Sequence, residues 1–153
     1  MNIRNVYLST AALLLLASLA LAADRTCDLV KPEDANALFQ SHLGRGAMAR
    51  SDQGLPYCEY KAPDDTTMMV GLSERDGRKA FAKHREALAE NPGKVDTVPG
   101  LGDEACLQIM SAGGGSIAIR RGDSFFVILI ASHNRLPVRD GLLQLARKAL
   151  ARL

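Results

Sequence analysis

Between Thr97 and Ser132 the chain carries three short segments of strand character separated by glycine turns, and no other stretch limits the fold as tightly. Phe125-Phe126-Val127-Ile128-Leu129-Ile130 is continuous, apolar and rich in aromatic and β-branched residues. That is the pattern of a strand covered on both faces. Ser116–Arg121 alternates instead, with Ile117 and Ile119 on one face and Ala118 and Arg120 on the other. Gly122-Asp123 between them suits a two-residue hairpin loop. Ala105–Met110 also alternates, placing Ala105, Leu107 and Ile109 opposite Cys106, Gln108 and Met110. Gly113-Gly114-Gly115 then turns the chain. The expectation is a three-stranded antiparallel meander on which the rest packs.

The flanking segments supply helices. Lys31–Phe39 opens one, because Pro32 suits the first helical position and Glu33 and Asp34 face the positive end of its dipole. Gly44 is its expected stop. The polar stretch 45–56 reads as a loop or a short edge strand. Tyr57–Ala62 and Thr66–Ser73 read as strands around a Pro63-Asp64-Asp65 turn. Asp76–Asn91 is an amphipathic helix with Ala80, Phe81, His84, Ala87 and Leu88 on its apolar stripe. Lys94–Val98 is expected to pair only briefly with the sheet edge. Pro137 starts a last helix, where Val138, Leu142, Leu145, Ala146, Ala149 and Leu153 recur at helical spacing. The fold class expected is α+β, an antiparallel sheet of about five strands with three helices packed on it. Its order is helix, two strands, helix, three strands, helix.

The chain of 153 residues is expected to divide into a leader, 1–22, and a single α+β domain, 23–153. Arg4 precedes an apolar run from Ala11 to Ala23, and Ala20-Leu21-Ala22 places small residues where a signal peptidase reads them. This is the pattern of a secretory signal peptide cleaved after Ala22. The apolar core is shorter than the ~20 residues a spanning helix needs, so stable membrane insertion after cleavage is not expected. Asp24-Arg25-Thr26 separates Cys27 from that run, so lipid attachment there is not expected either. Removing residues 1–22 takes away Arg4 and no acid, leaving 18 basic and 17 acidic residues, formally +1. That balance gives no argument for a nucleic-acid partner. The localisation expected is periplasmic or secreted.

Cys27, Cys58 and Cys106 all follow the leader. An exported chain meets oxidising conditions, so one disulfide and one free thiol is the natural count, and three pairings are possible. A Cys27–Cys58 bridge would tie a segment that has little else to hold it, whereas Cys106 lies inside the meander.

Several short motifs together resemble a known group. They are Cys27-Asp28-Leu29-Val30 before a proline-led helix, Cys58-Glu59-Tyr60, the Val98-Pro99-Gly100-Leu101-Gly102-Asp103-Glu104-Ala105 turn, and Arg121-Gly122-Asp123 before an apolar strand. This set resembles small exported bacterial proteins of unknown function, many of them actinobacterial lipoproteins. Those proteins look related to the extracellular sensor domains of bacterial Ser/Thr kinases. The resemblance spans most of the chain after the leader. It implies an extracytoplasmic binding or sensing domain, favours the Cys27–Cys58 pairing, and carries over no catalytic residue. The chain departs from the group by lacking a lipidation cysteine and by placing Cys106 directly after the turn.

Candidate chemistry is sparse. Asp103 and Glu104 are adjacent, so on a strand they point to opposite faces and make no carboxylate pair. A turn role for Asp103, accepting backbone N–H bonds, is the favoured reading. Cys106 lacks the surroundings of an activated nucleophile and reads as a small buried hydrophobe. His42, His84 and His133 are dispersed, with no pair at metal-ligand spacing, and His84 reads as a core or boundary residue. Gly113-Gly114-Gly115 lacks the strand-to-helix setting and the lysine of a phosphate loop. Arg121-Gly122-Asp123 reads as a hairpin turn, and Lys79, Lys83 and Arg85 as a solvated helix face. No cofactor, metal or catalytic residue is assigned. The function expected is non-catalytic binding or sensing of an unknown protein or small-molecule ligand. The alternatives are a thiol-dependent enzyme or redox protein using Cys106, and a structural subunit of an envelope assembly.

Overall fold

The computed structural model describes residues 25–52, 55–90, 93–111, 113–132 and 138–153. The leader, Pro137 and His133 therefore lie outside the described residues. In chain order the elements are α1 (Pro32–Phe39), β1 (Ala47–Arg50), β2 (Pro56–Lys61), β3 (Thr67–Ser73), α2 (Gly77–Ala89), β4 (Val95–Thr97), β5 (Glu104–Ile109), β6 (Gly115–Arg121), β7 (Ser124–Ala131) and α3 (Val138–Leu150). A single helical turn at 25–28 precedes α1.

The class is α+β, with an antiparallel sheet and three helices among the described residues. The sheet has seven strands rather than about five, in the order β1-β2-β3-β7-β6-β5-β4, and three and four strands replace the expected two and three. The two extra strands are the edges, β1 and β4. They are four and three residues long. Strands that short carry too few alternations to read by pattern, and their pairing depends on a neighbour far along the chain.

The sheet is two meanders, β1–β2–β3 and β4–β5–β6–β7, zipped together by one long pairing of β3 with β7. Seven residue pairs, from Thr67↔Ala131 to Ser73↔Phe125, make that seam. Helix α2 is the crossover between the meanders.

The two faces differ. Cys58, Val70, Ile128, Ile117 and Leu107 stand in one cross-strand row and belong to the main core under α1 and α3. Phe126, Ile128 and Ile130 of β7 are fully buried on this face. The opposite face of β7 carries Phe125, Val127 and Leu129, all half-buried. Helix α2 reaches only part of that face, packing Phe81 and Leu88 on Cys106 and Ala118. The expectation of full cover on both faces of this strand thus holds for one face.

Local chemistry explains the helix ends. Helix α1 stops at Gln40, which adopts the left-handed conformation with φ 50°, four residues before the expected stop at Gly44. Asn36 makes that early stop possible, because its side chain takes over pairing of the returning chain. It accepts from the Leu43 N–H at 2.7 Å and donates to the Leu43 carbonyl at 3.1 Å. Helices α1 and α3 are tied by Asp34, which takes Lys148 at 2.7 Å and also Arg152. The hydrogen bonds from Lys148 and Arg152 hold its carboxyl below the usual range.

Ile128→Ala is expected to cost about 2–5 kcal/mol in denaturant melts, the range for deleting a fully buried aliphatic side chain. A loss under about 1 kcal/mol would contradict the central position of β7.

Candidate functional site

A groove of about 870 Å3 lies where the helix layer stops short of β1. Its lining comes from the 25–28 turn, the start of α1 and residues 43–48, with Tyr60 beneath. Met48 shows what the groove is. It shares the cross-strand row of Cys58 and Val70, so it points to the core face, yet it is 39% exposed. Neither helix covers that end of the row.

The walls are held rigidly. Cys27 and Cys58 form a disulfide, with Cα atoms 5.1 Å apart. It joins the helical turn to β2. The Tyr60 hydroxyl sits within 2.7 Å of both the Cys27 and the Val30 carbonyl oxygens, so one proton serves two acceptors. Burial, with help from the Asp28 charge, pushes the Tyr60 hydroxyl up to about 12, so it stays a donor. Gly46 lets β1 lie close. A Cβ there would meet the Cys58 Sγ at 2.6 Å and the Tyr60 ring at 2.6 Å. The rim carries both signs of charge, with Asp28 and Glu33 against Lys31 and Arg45. The floor is apolar, built from Leu43, Met48 and the Tyr60 ring.

A smaller cleft of about 140 Å3 lies on the other face, between α2 and the turn at 98–103. Phe81, Arg85, Leu101, Glu104 and Cys106 are among its lining residues. Cys106 is a free, buried cysteine. Burial pushes its thiol up, against a smaller opposing effect of the Arg85 charge. A nucleophilic cysteine needs the reverse shift.

The neighbouring carboxylates are not opposed as expected. Asp103 lies in the turn and Glu104 begins β5, and both reach Arg120 on β6. The Arg120 Nε donates to Glu104 Oε2 at 2.6 Å and its Nη1 to Asp103 Oδ2 at 2.8 Å. Strand alternation does not govern Asp103, because it precedes the strand. Its turn role is present, since it accepts the Gly122 N–H at 2.8 Å, and that bond is the main reason its carboxyl lies below the usual range. The Arg120 Nη1 also donates to the Gly122 carbonyl at 3.1 Å. Arg120 thus clamps the Gly-Leu-Gly-Asp-Glu-Ala turn to the β6–β7 hairpin.

The remaining candidates are dispersed. His42 is exposed, and His84 lies on α2 with its ring 5.7 Å from that of Phe125. Among the described residues no three of His, Cys, Asp and Glu are grouped to hold a metal ion. Gly113 and Gly114 have positive φ, and a Cβ on Gly114 would lie 2.1 Å from the Ile130 carbonyl oxygen, so the glycines serve hairpin geometry. Arg121-Gly122-Asp123 is the hairpin turn, with Gly122 at φ 59°. Lys79, Lys83 and Arg85 are exposed on α2.

Sequence reading did not single out Tyr60, Asn36, Gly46 or Arg120 as site-building residues. Tyr60 carried one usable signal, standing two residues from Cys58 on the same strand face. An arginine at 120 inside an otherwise apolar strand was another. Compared with known protein families and with curated proteins, the chain matches none.

The Cys27–Cys58 loop spans 31 positions. Loop closure of that size is worth roughly 3–4 kcal/mol, so Cys27→Ser should lower the melting temperature well below that of Cys106→Ser. Equal melting temperatures would contradict it. Tyr60→Phe should cost about 1–3 kcal/mol in denaturant melts, because two carbonyl oxygens lose their shared donor. A change within about 0.5 kcal/mol would show that another group satisfies them.

Proposed function

We propose that this chain is an exported, non-catalytic binding or sensing domain whose ligand-contacting surface is the groove beside β1. The observation that carries the reading is the groove's construction. A disulfide and a buried tyrosine hold an apolar floor open beneath a rim of mixed charge. Such a site suits a ligand with an apolar body and polar ends. Export is supported by the apolar leader at 1–22 and by the disulfide, which persists in oxidising compartments. Among the described residues no helix is long and apolar enough to cross a membrane. The resemblance to small exported proteins and kinase sensor domains points the same way.

A thiol enzyme at Cys106 is the weaker reading, because burial keeps that thiol protonated. An envelope subunit calls for a broad exposed apolar patch. The exposed large hydrophobics among the described residues are Met48, Leu55 and Ile109. Ile109 stands on β5 near the β4 edge of the sheet, whereas Met48 is on β1 at the opposite edge and Leu55 just before β2, so they do not form one surface.

The test uses the full chain expressed with its own leader. Protein recovered from the periplasm should begin near Ala23, and an intact Met1 in washed membranes would overturn export. Native mass spectrometry of that material should detect a bound species that Met48→Glu loses and Lys79→Ser, on the opposite face, keeps. Equal retention by both variants would move the site away from the groove.

A further inference from the structure

We infer that α2 is an acid-releasable cover over the second face of the sheet, with His84 as the group that loosens it. This inference is independent of the groove, which lies on the other face.

His84 lies at the centre of the contact, three residues after Phe81 and four before Leu88, the two buried anchors of the helix. Its Nε2 is enclosed and has no hydrogen-bond partner among the described residues. Protonation would add a charge and a second N–H to a contact built from apolar side chains. Burial holds the His84 pKa below its ordinary value, which is that cost seen from the other side.

The surroundings offer no relief. On this face β7 presents Phe125 and Val127, and β6 presents Ala118 and Arg120. From β5 come Glu104, Cys106 and Gln108, and from β4 Val95 and Thr97. Glu104 is engaged by Arg120, as is Asp103 in the adjacent turn. Asp123 meets the start of α2 through its backbone carbonyl, which accepts the Gly77 N–H at 2.9 Å. On the helix itself Lys83 and Arg85 flank His84, with Glu86 beyond them.

The cover is also weakly built. Its cluster holds four buried residues, Phe81, Leu88, Cys106 and Ala118, whereas the opposite face carries the main core. Asp76 at the N-cap is left-handed and makes no side-chain cap bond. Beyond Asp76 the first turn of α2 has no acid, and its last turn has no base, so little charge complements the helix dipole. An element with few apolar contacts and poor ends opens before the rest of a fold.

The sign follows from linkage. The docked histidine binds a proton less readily than the released one, so docking is fully favoured above the ordinary histidine pKa of about 6.5 and weakens as pH falls below it. One unit below that value, release gains up to about tenfold in population. Cys106 lies under α2, so its labelling reports the opening.

The experiment measures Cys106 modification by a dithiodipyridine, a reagent active in acid, on the oxidised full chain. Rates are taken relative to the unfolded chain at the same pH. Between about pH 7.5 and pH 5.5 the relative rate should rise more than about threefold in the unmodified protein and stay flat in His84→Leu and in His84→Gln. Amide exchange in α3 should keep its protection across the same range. A rise below about threefold, an equal rise in both variants, or parallel loss of protection in α3 would overturn the inference.

Discussion

The pairing of β3 with β7 holds the rest of the structure in place. Each meander can form from neighbours in the chain, but only this seam joins them into one sheet. Its register aligns Val70 with Ile128 and Gly71 with Val127. A slip of one residue would send Phe126, Ile128 and Ile130 to the thinly covered face and strip α1 and α3 of their floor. The pair joins segments about sixty residues apart, so loop-closure entropy opposes it until the apolar rows meet.

That register also separates the cysteines. Cys58 stands in the row of Val70 and Ile128, and Cys106 in the row of Ala118 and Val127. The sheet lies between them. Cys27 therefore meets Cys58 beneath α1, while Cys106 is left as a small apolar residue under α2. The groove and the smaller cleft inherit the difference. One is braced by a covalent bond and a shared tyrosine proton, and the other is closed by α2 on a satellite cluster.

Polar groups do structural work where packing ends. Arg120 and Asp103 lock the long turn to the last hairpin, Asn36 closes the chain after a truncated helix, and Tyr60 satisfies two carbonyls at the turn before α1. Each joins residues from separate elements. Leaving such groups unpaired costs more than any single bond contributes, so these few side chains set the shape of the loops.

Much of the fold was legible in the residues alone. Period-two alternation placed Cys106 opposite Leu107 and Ala118 opposite Ile119. The apolar stripes located α2 and α3 within a few residues, and glycine chemistry marked the hairpins. These features are local, so the chain encodes them within a few neighbours. The edge strands β1 and β4 were legible only as a loop or short edge strand and as a brief edge pairing, and the seam and the convergence of Asp103 and Glu104 on Arg120 were not legible. They arise between distant segments, where hydrogen-bond partners and register are chosen by whatever packs alongside. The groove belongs with these. Met48 falls in a stretch that reads as a polar loop or short edge strand, and only the end of the helix layer, one strand short of the sheet's edge, leaves it exposed on the core face.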